Sequence, residues 1–418
     1  MKTTRRRFLA GSVAATSVFS FSSTIPSFLR QAVAGEGAGG ERILVVVQLS
    51  GGNDGLNTVV PFKHPTYRGV RPTLAIGQDQ VLRINDELGL HPSLTGLQDL
   101  LENDRLAIVQ GVGYPNPNRS HFESMDIWHT CQRKMEHRSE GWLGRYVGIE
   151  ALSAVESDGS GTQGRMPALH LGREQQPLAL LSEKVRVPSI KSLDQFRLQG
   201  STSESVRASI ESLVRGQPGG DDSLLDFVAS STRSAFKASK QLEESTQGKQ
   251  SGTLYPSTPL SEKLKIVASL IDSPLDTRIY YVTIDGFDTH GQQAGAHASL
   301  LGQLDGAVSA FFEDLTSRGQ TSRVMMMCFS EFGRRLNENA SKGTDHGAAA
   351  PMFLLGDNVK PGLHGEHPSM TDLDQGDLKH HTDFRQVYAT VLERWMKTES
   401  EPVLGASFPL LPLFREQA

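Results

Sequence analysis

Five short stretches of this 418-residue chain set acids, histidines or a serine directly beside apolar runs. "ILVVVQLS" runs into Gly51-Gly52 and then Asn53 and Asp54. "LAIVQGV" is followed by "YPNPNRSHFES", with Ser120 and His121. "RIYYVTID" ends at Asp285, and "GFDTHGQQ" follows with Asp288 and His290. "RVMMMC" leads into "FSEFGRR", with Ser330, Glu331, Arg334 and Arg335. "GTDHGAA", with Asp345 and His346, stands just before "APMFLLG". Carboxylates gathered with nothing positive between them repel and raise one another's pKa. Carboxylates gathered with imidazoles form the oxygen and nitrogen donor set of a divalent cation. Cys131 and Cys328 are the only cysteines, so any metal is held by His, Asp and Glu.

Each stretch also has a plainer reading. Asp-Gly and Asn-Asp are turn formers. Ser120 is placed to cap a helix, with Glu123 three residues on completing a capping box. Asp288 and His290 fit an exposed loop pair, and Glu331 fits a partner for Arg334. Position favours a shared site. Four of the five stretches follow an apolar strand, and ligands of open α/β sheets bind outside the carboxyl ends of strands.

The elements that must hold these residues are legible from periodicity. "RILVVVQL", "LAIVQGV", "RIYYVTID", "RVMMMCFS" and "APMFLLG" read as buried strands. "HPSLTGLQDLLEND" reads as a helix with Leu94, Leu97, Leu100 and Leu101 on one face. "SHFESMDIWHTC", "SLLGQLDGAVSAFFEDLTSRG" and "TDFRQVYATVLERWM" read as further helices. Near-continuous apolar strands alternating with helices predict an α/β fold, a mostly parallel doubly wound sheet covered on both faces. The stretch from about residue 153 to 261 is rich in Ser, Gly and Gln and reads as a helical and loop insertion, a cap or a surface decoration. Cys328 lies in an apolar run and is expected to be buried; a disulfide with Cys131 stays open.

The first 34 residues read as an export signal. Arg5, Arg6 and Arg7 precede Phe8-Leu9 and a mildly apolar run, and "AVAGEG" offers cleavage after Ala34. The run is too short and too Ser-rich to span a membrane. "TTRRRFL" is similar to a twin-arginine signal, which exports folded proteins to the periplasm or beyond; an ordinary secretory signal is the alternative. These 34 residues hold five bases and no acid, which leaves 37 basic and 47 acidic residues, a formal charge near −10. That balance argues against a nucleic-acid or anionic-membrane partner.

With those motifs assembled, the chain resembles a known family. "LSGGNDGLNTVVPF", "LGLHPSL", "RSHFESMDIWHT", "GWLGRY", "DGFDTHGQQ", "FSEFGRR", "GTDHGAAAPMFLLG" and "HTDFRQVYATVLERW" resemble the exported bacterial family of unknown function numbered 1501, over about residues 41–397. The resemblance implies a domain over 41–400 with a C-terminal tail at 401–418. It further implies the sheet and two-metal site of the alkaline-phosphatase and sulfatase superfamily. By that likeness Asp54 resembles the first-strand metal ligand and Ser120 the nucleophile at a helix start. Asp285 and His290 resemble the next ligand pair, with Asp288 a rival for the Asp. Glu331 falls where that superfamily has an Asp-His pair, so a histidine is missing, and His346 resembles the final ligand. An alternative pairs Asp345 with His346 and makes His381 the last ligand. The implied cofactors are divalent ions, zinc, calcium, magnesium or manganese, and the implied substrate is a small phosphate or sulfate ester. Arg334 or Arg119 would clamp its anion, and His121 would serve as acid or further ligand. The other expectation is a non-catalytic exported binding or assembly protein that keeps the fold and one metal.

Overall fold

The computed structural model describes residues 42–133, 138–158, 167–185, 187, 189–190, 251–273, 275 and 277–416. The expected export signal and most of the expected insertion lie outside these residues. The chain opens with β1 (Ile43–Ser50), then α1 (Thr95–Glu102), β2 (Leu106–Gly113), α2 (His121–Thr130) and α3 (Trp142–Asp158). β3 (Ala168–Leu171) and β4 (Ser189–Ile190) follow, then α4 (Pro259–Ile271), β5 (Ile279–Asp285) and α5 (Gln293–Ser317). The last third holds β6 (Val324–Phe329), β7 (Arg334–Glu338), β8 (Thr344–His346), β9 (Ala350–Leu355), β10 (Gly362–His364), β11 (Thr382–Asp383) and α6 (Phe384–Thr390).

Nine strands form one sheet in the order β10-β2-β9-β6-β1-β5-β3-β4, with β11 also pairing β2. The expected α/β class with a mostly parallel sheet is present. β1 runs parallel to β5 and β6, β3 parallel to β5 and β4, and β10 and β11 parallel to β2. β9 alone in this sheet is antiparallel, to both β2 and β6.

Side chains alternate across a strand, and β1 shows what that does here. Ile43, Val45, Val47 and Leu49 enter a core shared with α1, α4 and α5. Leu44 and Val46 enter a second core, with α2, α3 and α6 and with Trp142, Phe384 and Trp395. Both faces are therefore buried, which is why the strands read as unbroken apolar runs. Cys131 and Cys328 are buried and free, so they form no disulfide. No helix among the described residues is long and apolar enough to cross a membrane.

Two local expectations change. The long helix begins at Gln293, six residues before the apolar pattern at Ser299. Ser120 is the N-cap of α2 by backbone conformation, but its side chain makes no cap hydrogen bond. The capping box does not close, because Arg138 takes both oxygens of Glu123 at 2.6 and 3.1 Å. A capping box closes instead at Asp383 and Gln386, ahead of α6.

Candidate metal centre

The parallel strands β1, β2, β5 and β6 end on one edge of the sheet, and β9 begins there because it runs the other way. His121 follows β2, Asp288 and His290 follow β5, Glu331 follows β6 and His346 precedes β9. Asp288 is the meeting point. Its Oδ1 lies 3.1 Å from His290 Nε2 and 3.0 Å from His346 Nε2, and its Oδ2 lies 3.4 Å from His121 Nε2. Ligand atoms of His121, Asp288 and His346 all fall within 4.8 Å of one another.

The far side of each ring decides what its Nε2 can do. His346 Nδ1 faces the Arg119 carbonyl at 2.7 Å and His121 Nδ1 faces Glu331 Oε1 at 2.9 Å. His290 Nδ1 points at Asp345 Oδ1, 3.4 Å away. A carbonyl or carboxylate oxygen accepts, so these Nδ1 atoms carry the protons and the Nε2 lone pairs turn inward. His290 Nε2 and His346 Nε2 then face each other at 2.9 Å. Two lone pairs at that distance repel unless a cation lies between them. His121 Nε2, also buried from solvent, has no hydrogen-bond partner. Bonds of 2.0–2.1 Å to a tetrahedral zinc ion put its donors about 3.3 Å apart. The contacts of Asp288 with the three rings and of His290 with His346, 2.9 to 3.4 Å, fit that size.

Carboxylates stand behind the rings, as they do behind ligating histidines in general. Glu331 is 1% exposed, and its Oε1 also accepts from the Gly51 N–H at 2.9 Å. Glu331 raises the pKa of His121 through its hydrogen bond, against the lowering effect of burial. Asp345 orients His290 and is itself held by Asn339 Nδ2 at 3.0 Å. Phe332, 1% exposed, packs against His121 and His346 with ring centroids 4.9 and 4.7 Å away. Burial would raise the Asp288 carboxyl, but the hydrogen bond and the charge of Arg334 hold it well below the ordinary carboxylate range.

The hairpin β7–β8 carries much of this. It brings Arg334 to Asp288 at 2.8 Å, Asp345 to His290, and His346 to both. Asn339 in its turn donates to the His290 carbonyl at 3.0 Å. A Cβ on Gly343 would stand 2.2 Å from the His290 carbonyl carbon, so the hairpin and the His290 loop pack backbone to backbone.

Four of the expected site residues have other surroundings. Asp54 does not join the cluster. It is 1% exposed and its Oδ2 pairs with buried Arg71 at 2.6 Å and accepts from the Gln293 amide. Burial raises its pKa, yet Arg71 and its other partners bring it below the ordinary value. Arg334 is 1% exposed and turned inward, onto Gly51, Gly52, Phe287, Thr344 and Asp288. A buried guanidinium so engaged cannot clamp an arriving anion. Asp285 is exposed, and its Oδ1 accepts from its neighbour, the Gly286 N–H, at 2.8 Å. Ser120 is exposed beside His121. Of the alternatives, Arg119 pairs with Asp377 at 2.6 Å, and His381 donates its backbone N–H to the Gly111 carbonyl.

Sequence reasoning missed Arg71, Gln293 and Phe332. Gln293 Oε1 accepts from Thr289 and Thr344, at 3.1 and 2.6 Å, and so ties the His290 loop to β8. Nothing in "YRGVRPT" marks Arg71 as the partner of a carboxylate 17 residues earlier. Phe332 carried a usable signal, as an aromatic between Glu331 and Arg334.

The fold and this cluster define an α/β protein with a histidine-rich centre at the carboxyl edge of its sheet. The chain belongs to the family described as "Protein of unknown function (DUF1501)", which matches residues 41–405. No curated protein matches the sequence. Among solved structures, a protein of the alkaline phosphatase superfamily from Vibrio parahaemolyticus is similar over 89% of this chain and 71% of its own, with TM-score 0.40 and 10% identity. PsFucS1 sulfatase from Pseudoalteromonas sp. is similar over 94% and 74%, with TM-score 0.39 and 11% identity. The phosphonate monoester hydrolase of Silicibacter pomeroyi is similar over 88% and 78%, with TM-score 0.37 and 10% identity. Likeness at this level says nothing about the chemistry of this chain.

Proposed function

We propose that this chain is an exported, metal-dependent hydrolase of phosphate or sulfate esters, with one metal held by His121, Asp288, His290 and His346. The observation that carries the metal is the 2.9 Å contact between His290 Nε2 and His346 Nε2, whose other ring nitrogens face acceptors. Three imidazoles and one carboxylate favour a borderline ion such as zinc over calcium or magnesium, which prefer all-oxygen sites. Such an ion, on taking an oxygen beside these four ligands, would supply a Lewis acid that polarises an ester and offsets its charge. Glu331 and Asp345 fix the orientation of His121 and His290, and Arg334 fixes Asp288. Ser120 is the candidate nucleophile, with a hydroxyl not spent on capping α2 and a place one residue from His121.

Metal analysis of the purified protein tests the first part. About one equivalent of zinc per chain is expected, lost in Asp288→Asn and His346→Ala and kept in Ser120→Ala. Turnover of an aryl phosphate or sulfate should vanish in Ser120→Ala. A wild-type protein that takes up no divalent ion would refute the metal centre.

One observation favours a second reading, a metal-bearing protein without turnover. The carboxylate expected to hold a further ion, Asp54, is neutralised by Arg71. Under that reading zinc binds in the same stoichiometry and no ester is cleaved.

A further inference from the structure

The centre opens onto a cleft of about 630 Å³. His121, Asp288 and Glu331 are part of its lining. That volume suits a small-molecule site, for which several hundred Å³ is usual. Its composition restricts what enters. Phe122, Met125, Leu178 and Leu181 line it. Phe122 follows His121 directly and is 87% exposed, and Leu181 is 40% exposed. These four side chains together make an apolar face rimmed by polar groups, which is a mark of a ligand-binding groove. The charged lining among the described residues is all acidic: Asp126, Asp285, Asp288 and Glu331. Asp288, Glu331 and Asp126 face Arg334, His121 and Arg138 respectively. Asp285 has no cation partner among the described residues. It also lines the adjoining cleft of about 540 Å³, with Gln48, Ser50, His129 and Gln175 common to both; Lys263 of that second cleft is taken by Glu174 at 2.8 Å.

We infer that the substrate is a monoester whose leaving group is apolar, aromatic or long-chain, and carries no second negative charge. This deepens the hydrolase reading and rests on it. One anionic head is accommodated because the ion beside His121 and Asp288 offsets it. A second anion on the leaving group would lie against the unpaired Asp285 carboxylate with no unengaged arginine or lysine among the described lining to receive it, since Lys263 is held by Glu174. Like charges placed so cost affinity and slow association. An apolar leaving group instead covers Phe122 and Leu181 and removes hydrocarbon from water, at about 25 cal/mol per Å². Sulfated or phosphorylated polyanions are excluded by the same argument.

Binding and turnover separate this inference from the reading beneath it. With zinc-loaded protein, calorimetry would compare phenylphosphonate, methylphosphonate and 4-carboxyphenylphosphonate, none of which is cleaved as an ester. Phenylphosphonate should bind at least tenfold more tightly than either of the others. Phe122→Ala and Leu181→Ser should remove most of the preference over methylphosphonate. Asp285→Asn should restore binding of the carboxylated compound and leave that of phenylphosphonate unchanged. Zinc content reports that each variant is folded and loaded. Equal binding of the three compounds, or an Asp285→Asn variant that still rejects the carboxylate, overturns the inference. Binding in the expected order with no turnover of phenyl phosphate or phenyl sulfate keeps the inference and removes the hydrolase. Turnover that is indifferent to the leaving group keeps the hydrolase and removes the inference.

Discussion

Asp54 and Ser120 show how far a residue's type predicts its work. Both stood out by type and position, and each turned out to have a local situation that type does not reveal. Asp54 is a buried anion whose cation, Arg71, lies outside any motif. Removing one member of a buried pair strands the other, so Arg71→Ala should cost about 3–5 kcal/mol. Urea unfolding would measure it, and adding Asp54→Asn should recover part of the loss. Ser120 makes no cap bond, so Ser120→Ala should change stability by less than about 0.5 kcal/mol, where a working cap is worth about 1 kcal/mol. Chemical denaturation of the metal-loaded protein checks this, and a loss near the cap value would mean that the hydroxyl caps α2 in solution. Histidines were more legible. His121, His290 and His346 flank strand ends in the sequence, and the sheet brings all three to Asp288. Which ring nitrogen faces inward was not legible, because Glu331, the Arg119 carbonyl and Asp345 set it from distant elements.

Turns and strand directions carry the next layer. Gly51 has φ near +117°, and a Cβ there would meet the Asp288 backbone nitrogen at 2.3 Å. Gly51 thus lets the Asp288 loop lie against the turn, and Gly52 leaves room for the Phe332 ring, which is a different service from presenting Asp54. Gly51→Ala should therefore destabilise by more than about 1 kcal/mol and also weaken zinc binding, because Asp288 must move. Thermal unfolding with and without zinc would separate the effects; a variant with unaltered zinc affinity would contradict this role. The strands were legible because two-sided burial demands unbroken apolar runs, as in "VMMMCF" and "APMFLL". Their directions were not, since an apolar run reads alike both ways. The reversal of β9 is set by the hairpin before it. The start of α5 was also hidden, because Gln293 and His297 are buried for hydrogen bonds to Asp54 and Asn53 and so break the apolar periodicity.

Acid sensitivity belongs to the molecule as a whole, where several buried groups act together. Burial lowers His91 and His297 to about 4 and His129 to about 3. Below an ordinary value of 6.5 the unfolded chain binds protons that the native state refuses. The stability tied to these rings is fully present above about pH 6.5 and drains away as pH falls through 4. Asp54, also lowered, adds to the loss at the acid end. Melting temperatures of zinc-free protein from pH 7 to pH 4 should fall steadily, and a flat profile would contradict the burial of these rings. The proposed export is tested on the whole chain too. Lysines at Arg5 and Arg6 should leave the precursor in the cytoplasm, as cell fractionation would show, if the twin-arginine reading is right. The reversed strand has a consequence of another kind. β6 and β9 are neighbours in the sheet, so residues 330–349 leave and return at adjacent points of one edge. Glu331, Arg334, Asp345 and His346 all come from that single excursion. Topologically it is a cassette: a change in its length leaves the pairing of β6 with β9 where it is, while Arg334 and Leu336 moor it to the β1 turn and to Arg71.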